Sequence, residues 1–347
     1  MRTPVFFVIA LVVGAAIYAF AHFFRSDYLF FAGYVVLQFV VLATAWNILG
    51  GYCGYVNFGS AAFFALGAYS TVTLHKIGLG IDRLVPEPIA PALHAIFPLS
   101  LPVLIIIGGA VSGIVGFGMG YLTLRLRGAF FAIATLALAV VLQTLIVNWD
   151  YVGGARGAYV IRPASVPLIG NYIEYLFLLM MGLAIVALTT ARLIERSQLG
   201  YGFATIRDDE LAAEACGVPT LRLKLIATTV SGAFMGMAGA PFPYYIGYLQ
   251  PSSAFGLEYA VNSIAMPMIG GTTSWVGPLI GAVLLGSLQQ IATVTISSAV
   301  NLLLVGLLLV GFVIVAPNGI VGLVQKYIRH KPVEETIGRR RVKVGAP

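Results

Sequence analysis

Long apolar runs dominate this chain, and their lengths point to one solvent. A helix needs about 20 mostly apolar residues to cross a hydrocarbon core about 30 Å thick. About ten such runs are legible, at roughly 4–24, 28–49, 54–75, 99–122, 128–147, 172–191, 223–246, 256–276, 278–297 and 299–317. Gly, Asn and Pro interrupt the third and the eighth. The pattern predicts an all-α polytopic membrane protein of about ten transmembrane helices.

Composition agrees. Of 347 residues, 59% are hydrophobic and 10% charged, against about 25% charged in a soluble domain. So little charge cannot cover a globule in water, whereas lipid asks for none. The basic residues then set the orientation. With the N-terminus in the cytoplasm, ten crossings return the C-terminus there. Inside fall Arg2, Arg125, Arg127, five basic residues of the 192–224 loop and seven of the tail. Outside fall only Arg25, Lys76, Arg83, Arg156 and Arg162, while the acidic residues divide seven to six. The net charge of +7 therefore follows from topology, and no nucleic acid is expected as a partner. The chain reads as a permease domain over 1–322, with a cytoplasmic loop at 192–224, and a basic cytoplasmic tail over 323–347. The first run, about twenty residues, exceeds the 7–15-residue core of a signal peptide and is expected to stay as a helix. Cys53 and Cys216 both fall on the cytoplasmic side, where no disulfide is expected. His22, His75, His94 and His330 are scattered at segment ends and suit no metal.

Ten crossings divide as five plus five, so a duplicated half would enter the membrane upside down, as two inverted five-helix repeats. The interrupted runs support this: "GYVNFGSAAFFALGAY" and "EYAVNSIAMPMIGG" each place an Asn two or three residues after a Tyr, followed by small residues. Small residues also recur at four-residue spacing. Gly108, Ser112, Gly116 and Gly120 share one helix face, and Gly232, Gly236 and Ala240 another. Such stripes let backbones approach closely where lipid supplies no hydrophobic drive.

What is missing narrows the chemistry. None of the five lysines follows a Gly, so no phosphate-binding loop is present, and no metal spacing or nucleophile elbow appears. The helix centres hold no Asp, Glu, Lys, Arg or His, which ion-coupled pumps keep for use. No enzyme activity, cofactor or metal is expected. The polar groups within the runs are Gln38, Asn47, Asn57, Ser60, Thr135, Gln143, Asn262, Ser263, Gln289 and Gln290. Most can be interhelical hydrogen bonds. Asn57 and Asn262 lie in the interrupted runs, where unwound backbone can line a polar path. With Ser60, Thr135 and Ser263 they are the candidate path residues.

The charged island "GYGFATIRDDELAAEACGVPTLRLK" (200–224) interrupts this landscape. Thr205 with Asp208 three places on resembles a capping box, and Asp208, Asp209 and Glu210 suit a helix N-terminus. Leu211, Ala212 and Ala215 give a narrow apolar face, and Gly217 with Pro219 stops the helix. The expectation is a helix of about nine residues, about 14 Å long, lying along the membrane surface and docking into another protein. Thr220 is placed to cap the next helix, with Arg222 and Lys224 at the cytoplasmic interface.

The island and the helix after it resemble permease subunits of branched-chain amino acid ABC transporters, the M-type member of the pair. "GYVNFGSAAFFALGAYS", "LRLRGAFFAIATLALA", "GGARG", "GGTTSWVGPLIGA" and "APNGIVGL" resemble that family's segments in its order. The resemblance implies an ATP-driven importer of branched-chain or related amino acids in the inner membrane. It implies a second homologous permease, two ATPase subunits that use the ATP, and a periplasmic substrate-binding protein. It also makes Arg207, Asp208, Asp209, Glu210, Glu214 and Gly217 the coupling residues. Three segments depart from the family's wording: Val152 stands where Thr is expected, Thr272 and Thr273 follow "GG", and Tyr201 replaces a common Arg. The rival readings are an ion-coupled secondary transporter, which would want an intramembrane carboxylate, and a passive channel for a small neutral solute such as urea.

Overall fold

The computed structural model describes residues 3–24, 26–80, 97–123, 126, 128–162, 171–295, 303, 306–307, 310–311 and 319–329. The described residues are mostly helical. Long helices α1 (Thr3–Phe23), α2 (Asp27–Gly50), α3 (Ser60–Leu79), α4 (Leu101–Thr123) and α5 (Ala129–Val147) form the first half. The second half holds α6 (Tyr172–Glu195), the island helices α7 (Gln198–Asp208) and α8 (Glu210–Ala215), and α9 (Thr220–Gly239) extended by α10 (Phe242–Ile246). There follow the short α11 (Pro251–Ala254), then α12 (Leu257–Gly270), α13 (Val276–Thr295) and α14 (Gly319–Arg329).

Among the described residues seven spans are long and apolar enough to cross a membrane: α1, α2, α4, α5, α6, α9 with α10, and α13. This is a multi-pass, all-α membrane protein. The interrupted runs behave differently. Residues 51–59 are not helical, so the third run becomes helical only at Ser60. The eighth is the 14-residue α12, with Pro267 near its end. Most of the predicted run 299–317 lies outside the described residues, as does most of the 323–347 tail, and the expected boundary at 322 falls within α14.

Helix α2 is the central post. Every residue from Gln38 to Leu49 is buried, as expected of a helix apolar on all faces. It packs against α6, α9, α12 and α13. Around it the small-residue stripes meet as the spacing predicts, with α4 lying closely along α9. A Cβ on Gly236 would meet Ser112 Oγ at 2.1 Å, and one on Gly67 of α3 would meet Gly236 O at 1.9 Å. Three backbones therefore converge at one level, and the Ser112 hydroxyl donates to Phe63 O at 3.0 Å. A second seam joins α12 to α13, where a Cβ on Gly281 would meet Met266 O at 1.8 Å. By contrast α1 and α5 are largely exposed, presenting Val8, Val12, Ile133 and Val140 outward. Apolar side chains on that surface suit lipid or a second membrane subunit.

A 3-10 turn at Asp150–Val152 is followed by a second within the "GGARG" run, at Gly154–Arg156, and then by a two-residue strand β1 (Ala158–Tyr159). It pairs antiparallel with β2 (Tyr248–Leu249), tying the two halves together beyond the C-terminal end of α9. Gly153 sits at φ 99°, and a Cβ there would meet Gly157 O at 2.0 Å, so only glycine fits this turn.

Candidate functional site

The predicted path residues are brought together in two clusters, and all five are buried. The first surrounds the non-helical segment 51–59. Asn57 Oδ1 accepts from Gly59 N at 2.7 Å, and Asn57 O accepts from Trp46 Nε1 at 2.9 Å. Phe58 N donates to Thr135 Oγ1 at 3.1 Å, which fixes this turn to α5. Asn57 Nδ2 is buried with no partner among the described residues, an uncommon state for an amide. The second cluster lies between α3, α12 and α13. The Ser60 and Ser263 hydroxyls are hydrogen-bonded at 2.8 Å, and Gln289 Nε2 donates to Asn262 Oδ1 at 2.9 Å. The two interrupted runs thus touch through their serines.

Sequence reasoning missed Glu258. It occupies the first turn of α12, four residues before Asn262 and so on the same face. It lines a cavity of about 100 Å³ with Gln38, Tyr245, Tyr259, Gln289 and Thr293. A carboxylate thus reaches a polar cavity at a helix end. The four-residue spacing to Asn262 was the available signal.

At the other end of the molecule the island folds as two helices instead of one. Helix α7 runs through Thr205, whose hydroxyl donates back to Gly202 O at 2.8 Å, so Thr205 is no cap. The break comes at Asp209, where the backbone is extended (φ −159°, ψ 111°), and its carboxylate accepts from Leu211 N at 2.9 Å and Ala212 N at 3.0 Å. Burial of Phe203 and Ile206 holds α7 in place for one turn longer than the capping pattern suggests. Helix α8 has six residues rather than nine, and Gly217 ends it at φ 82°. Pro219, not Thr220, stands at the N-cap position of α9, and Thr220 Oγ1 donates to Glu214 Oε1 at 2.8 Å.

Lys224 also departs from expectation. Its side chain is 3% exposed and its ammonium lies 2.7 Å from Glu210 Oε1. Lys224 Nζ donates to Tyr55 OH at 3.2 Å, while the Tyr55 hydroxyl donates to Glu210 Oε2. The ammonium also lies 4.7 Å from the centroid of the Tyr55 ring. Removing one member of such a buried pair costs about 3–5 kcal/mol, because the other charge is left stranded. The Arg207–Asp208 contact, 3.4 Å and partly exposed, is worth under about 1 kcal/mol. So Glu210 faces inward, whereas Arg207, Asp208, Asp209, Glu214, Gly217 and the 63%-exposed Leu211 lie on the surface. Beside the pair, Cys53, Gly54, Tyr55, Val56, Phe58, Gly128, Ala129, Ala132, Ile206, Arg207 and Glu210 line a cavity of about 360 Å³. Burial pushes the Cys53 thiol up from its ordinary range, with Lys224 and Arg207 pulling the other way.

The sequence that builds this bundle has known relatives. The profile of the branched-chain amino acid transport system permease component matches residues 29–313. The chain belongs to this permease family. It is 26% identical, over 86% of its own length and 71% of the relative's, to the high-affinity branched-chain amino acid transport system permease protein LivM of Salmonella typhimurium. A probable branched-chain amino acid transport permease protein LivH of Methanocaldococcus jannaschii is 24% identical, over 79% of this chain and 85% of that one. The autoinducer 2 import system permease protein LsrC of Yersinia enterocolitica is 23% identical, over 65% of this chain and 63% of that one. No solved structure is a significant match.

Proposed function

We propose that this chain is the membrane permease subunit of an ATP-driven importer of branched-chain or related amino acids in the cytoplasmic membrane. It works with a second homologous permease, two ATPase subunits that bind and hydrolyse ATP, and a periplasmic substrate-binding protein. The observation that carries the reading is α8. A helix of six residues is too short to persist alone. Here it is capped at one end by Asp209, stopped at the other by Gly217, and anchored inward through Glu210, while Leu211 is left exposed. A rigid, anchored knob with an apolar tip and acidic flanks suits the groove of a partner. In a chain without a phosphate-binding loop, that partner supplies the energy.

ATP binding draws the ATPases together, α8 moves with them, and the bundle changes the side on which it opens. Substrate crosses near Asn57, Ser60, Thr135, Asn262 and Ser263. In this reading the chain crosses ten times as two inverted halves with both termini cytoplasmic, and matching helix contacts fit the inverted halves. The contact of α4 with α9 has its counterpart in α2 with α13, and α3 with α4 in α12 with α13. Branched-chain amino acids are favoured over other cargo by the family profile and the LivM relatives. The binding protein sets most of the selectivity.

The test is co-purification. Leu211→Asp and Glu214→Lys should each lower recovery of the ATPases with a tagged permease, while the amount of permease in the membrane stays unchanged. Unaltered recovery in both variants would refute α8 as the docking element. Glu210 is unsuited to this test because its carboxylate belongs to the internal pair.

A further inference from the structure

We propose that Tyr55, Glu210 and Lys224 are positioning residues forming the strut that carries motion of α8 into the translocation path. This rests on the reading of α8 as the element that meets the ATPases. The three come from separate elements: Tyr55 from the non-helical segment 51–59, Glu210 from the first position of α8, and Lys224 from the second turn of α9. Both carboxylate oxygens of Glu210 are engaged, one by Lys224 at 2.7 Å and the other by the Tyr55 hydroxyl. An apolar contact at this place could slide. A carboxylate held by two donors from different directions fixes the relative position of all three elements.

Tyr55 stands at a junction. Its ring packs edge-on against Phe131 of α5, with centroids 5.0 Å apart. Two residues on is Asn57, and the next, Phe58, donates its N–H to Thr135 of the same helix. Any displacement of Glu210 therefore pulls on the turn that holds Asn57 and starts α3. There is room for that turn to move. The cavity of about 360 Å³ is bounded on one side by residues of the turn and on the other by Gly128, Ala129 and Ala132, the small residues that open α5. The α4–α9 seam offers no such room, because its backbones are in contact. The structure thus combines a rigid link, a non-helical segment and empty space beside it, all between α8 and the candidate path. A buried ion pair offers no stability advantage over well-packed apolar side chains, so its use here points to transmission rather than to holding the fold.

The experiment uses the assembled transporter in proteoliposomes, with leucine as the probe and ATP hydrolysis and uptake measured together. Tyr55→Phe removes one hydroxyl and keeps the ring on Phe131. ATPase recovery should match wild type, while leucine taken up per ATP hydrolysed falls by about five-fold or more, the lower end of an allosteric coupling. Lys224→Glu or Glu210→Lys alone should lower the same ratio further, and the double exchange should bring it back toward wild type. An unchanged ratio in Tyr55→Phe overturns the strut, as does a loss of uptake that merely tracks a loss of ATPase recovery or of folded permease. If the wild-type chain recovers no ATPase at all, the reading of α8 fails first, and the strut fails with it.

Discussion

Gly236 and Gly118 are both helical glycines in a membrane bundle, but they carry opposite expectations. A methyl group on Gly236 would meet Ser112 Oγ at 2.1 Å and Gly108 O at 2.6 Å, whereas one on Gly118 would meet nothing within 4 Å. Gly236→Ala should therefore lower stability by about 1–3 kcal/mol through overpacking. Gly118→Ala should be neutral or stabilising by up to about 1 kcal/mol. Thermal unfolding of the two variants in the same detergent checks the pair, and equal shifts would contradict the seam. This part of the fold was legible from spacing alone, since four-residue periodicity of small side chains has few other meanings in lipid. The role of Asn57 was less legible. Its Oδ1 caps the turn at Gly59 while its Nδ2 is unpaired among the described residues. Asn57→Leu should slow uptake more than it reduces assembled transporter, and normal uptake would return this residue to packing alone.

At the scale of elements, the island shows where local signals stop deciding. Thr205, Asp208 and Asp209 are all acceptable helix caps within five residues, and the capping pattern alone favoured the first. The choice was made by tertiary packing: Phe203 and Ile206 are buried, which keeps α7 helical past Thr205 and moves the break to Asp209. Lys224 was misplaced for a similar reason. A lysine near the end of a membrane helix ordinarily reaches toward water, and nothing nearby in sequence announced that Tyr55, 169 residues away, would turn it inward. The cap itself is testable. Asp209→Ala should cost α8 about 0.5–2 kcal/mol. Amide hydrogen exchange across 211–216 should quicken accordingly, while that of α9 stays unchanged. Equal protection in variant and wild type would show that α8 does not depend on its cap.

At the scale of the whole molecule, the all-α, multi-pass character was readable because lipid imposes a minimum length on each crossing, and seven of the ten expected runs are spans of that length among the described residues. The short α12 and the late start of α3 were not readable in detail, since both depend on partners elsewhere in the bundle. Orientation makes a direct prediction from the two native cysteines. Cys216 is exposed and Cys53 buried. A membrane-impermeant maleimide should label Cys216 in inside-out vesicles that lack the ATPases, leave it unlabelled in intact spheroplasts, and leave Cys53 unmodified in both. Labelling of Cys216 from outside would invert the proposed topology.

The most direct measurement of the central claim is accumulation of leucine by proteoliposomes with and without the nucleotide-hydrolysing subunits. With both permeases, the ATPases, the binding protein and ATP, leucine should rise above its external concentration, and omitting the ATPases should abolish that rise. Uphill leucine transport by the permeases alone, driven by a sodium or proton gradient, would contradict the account.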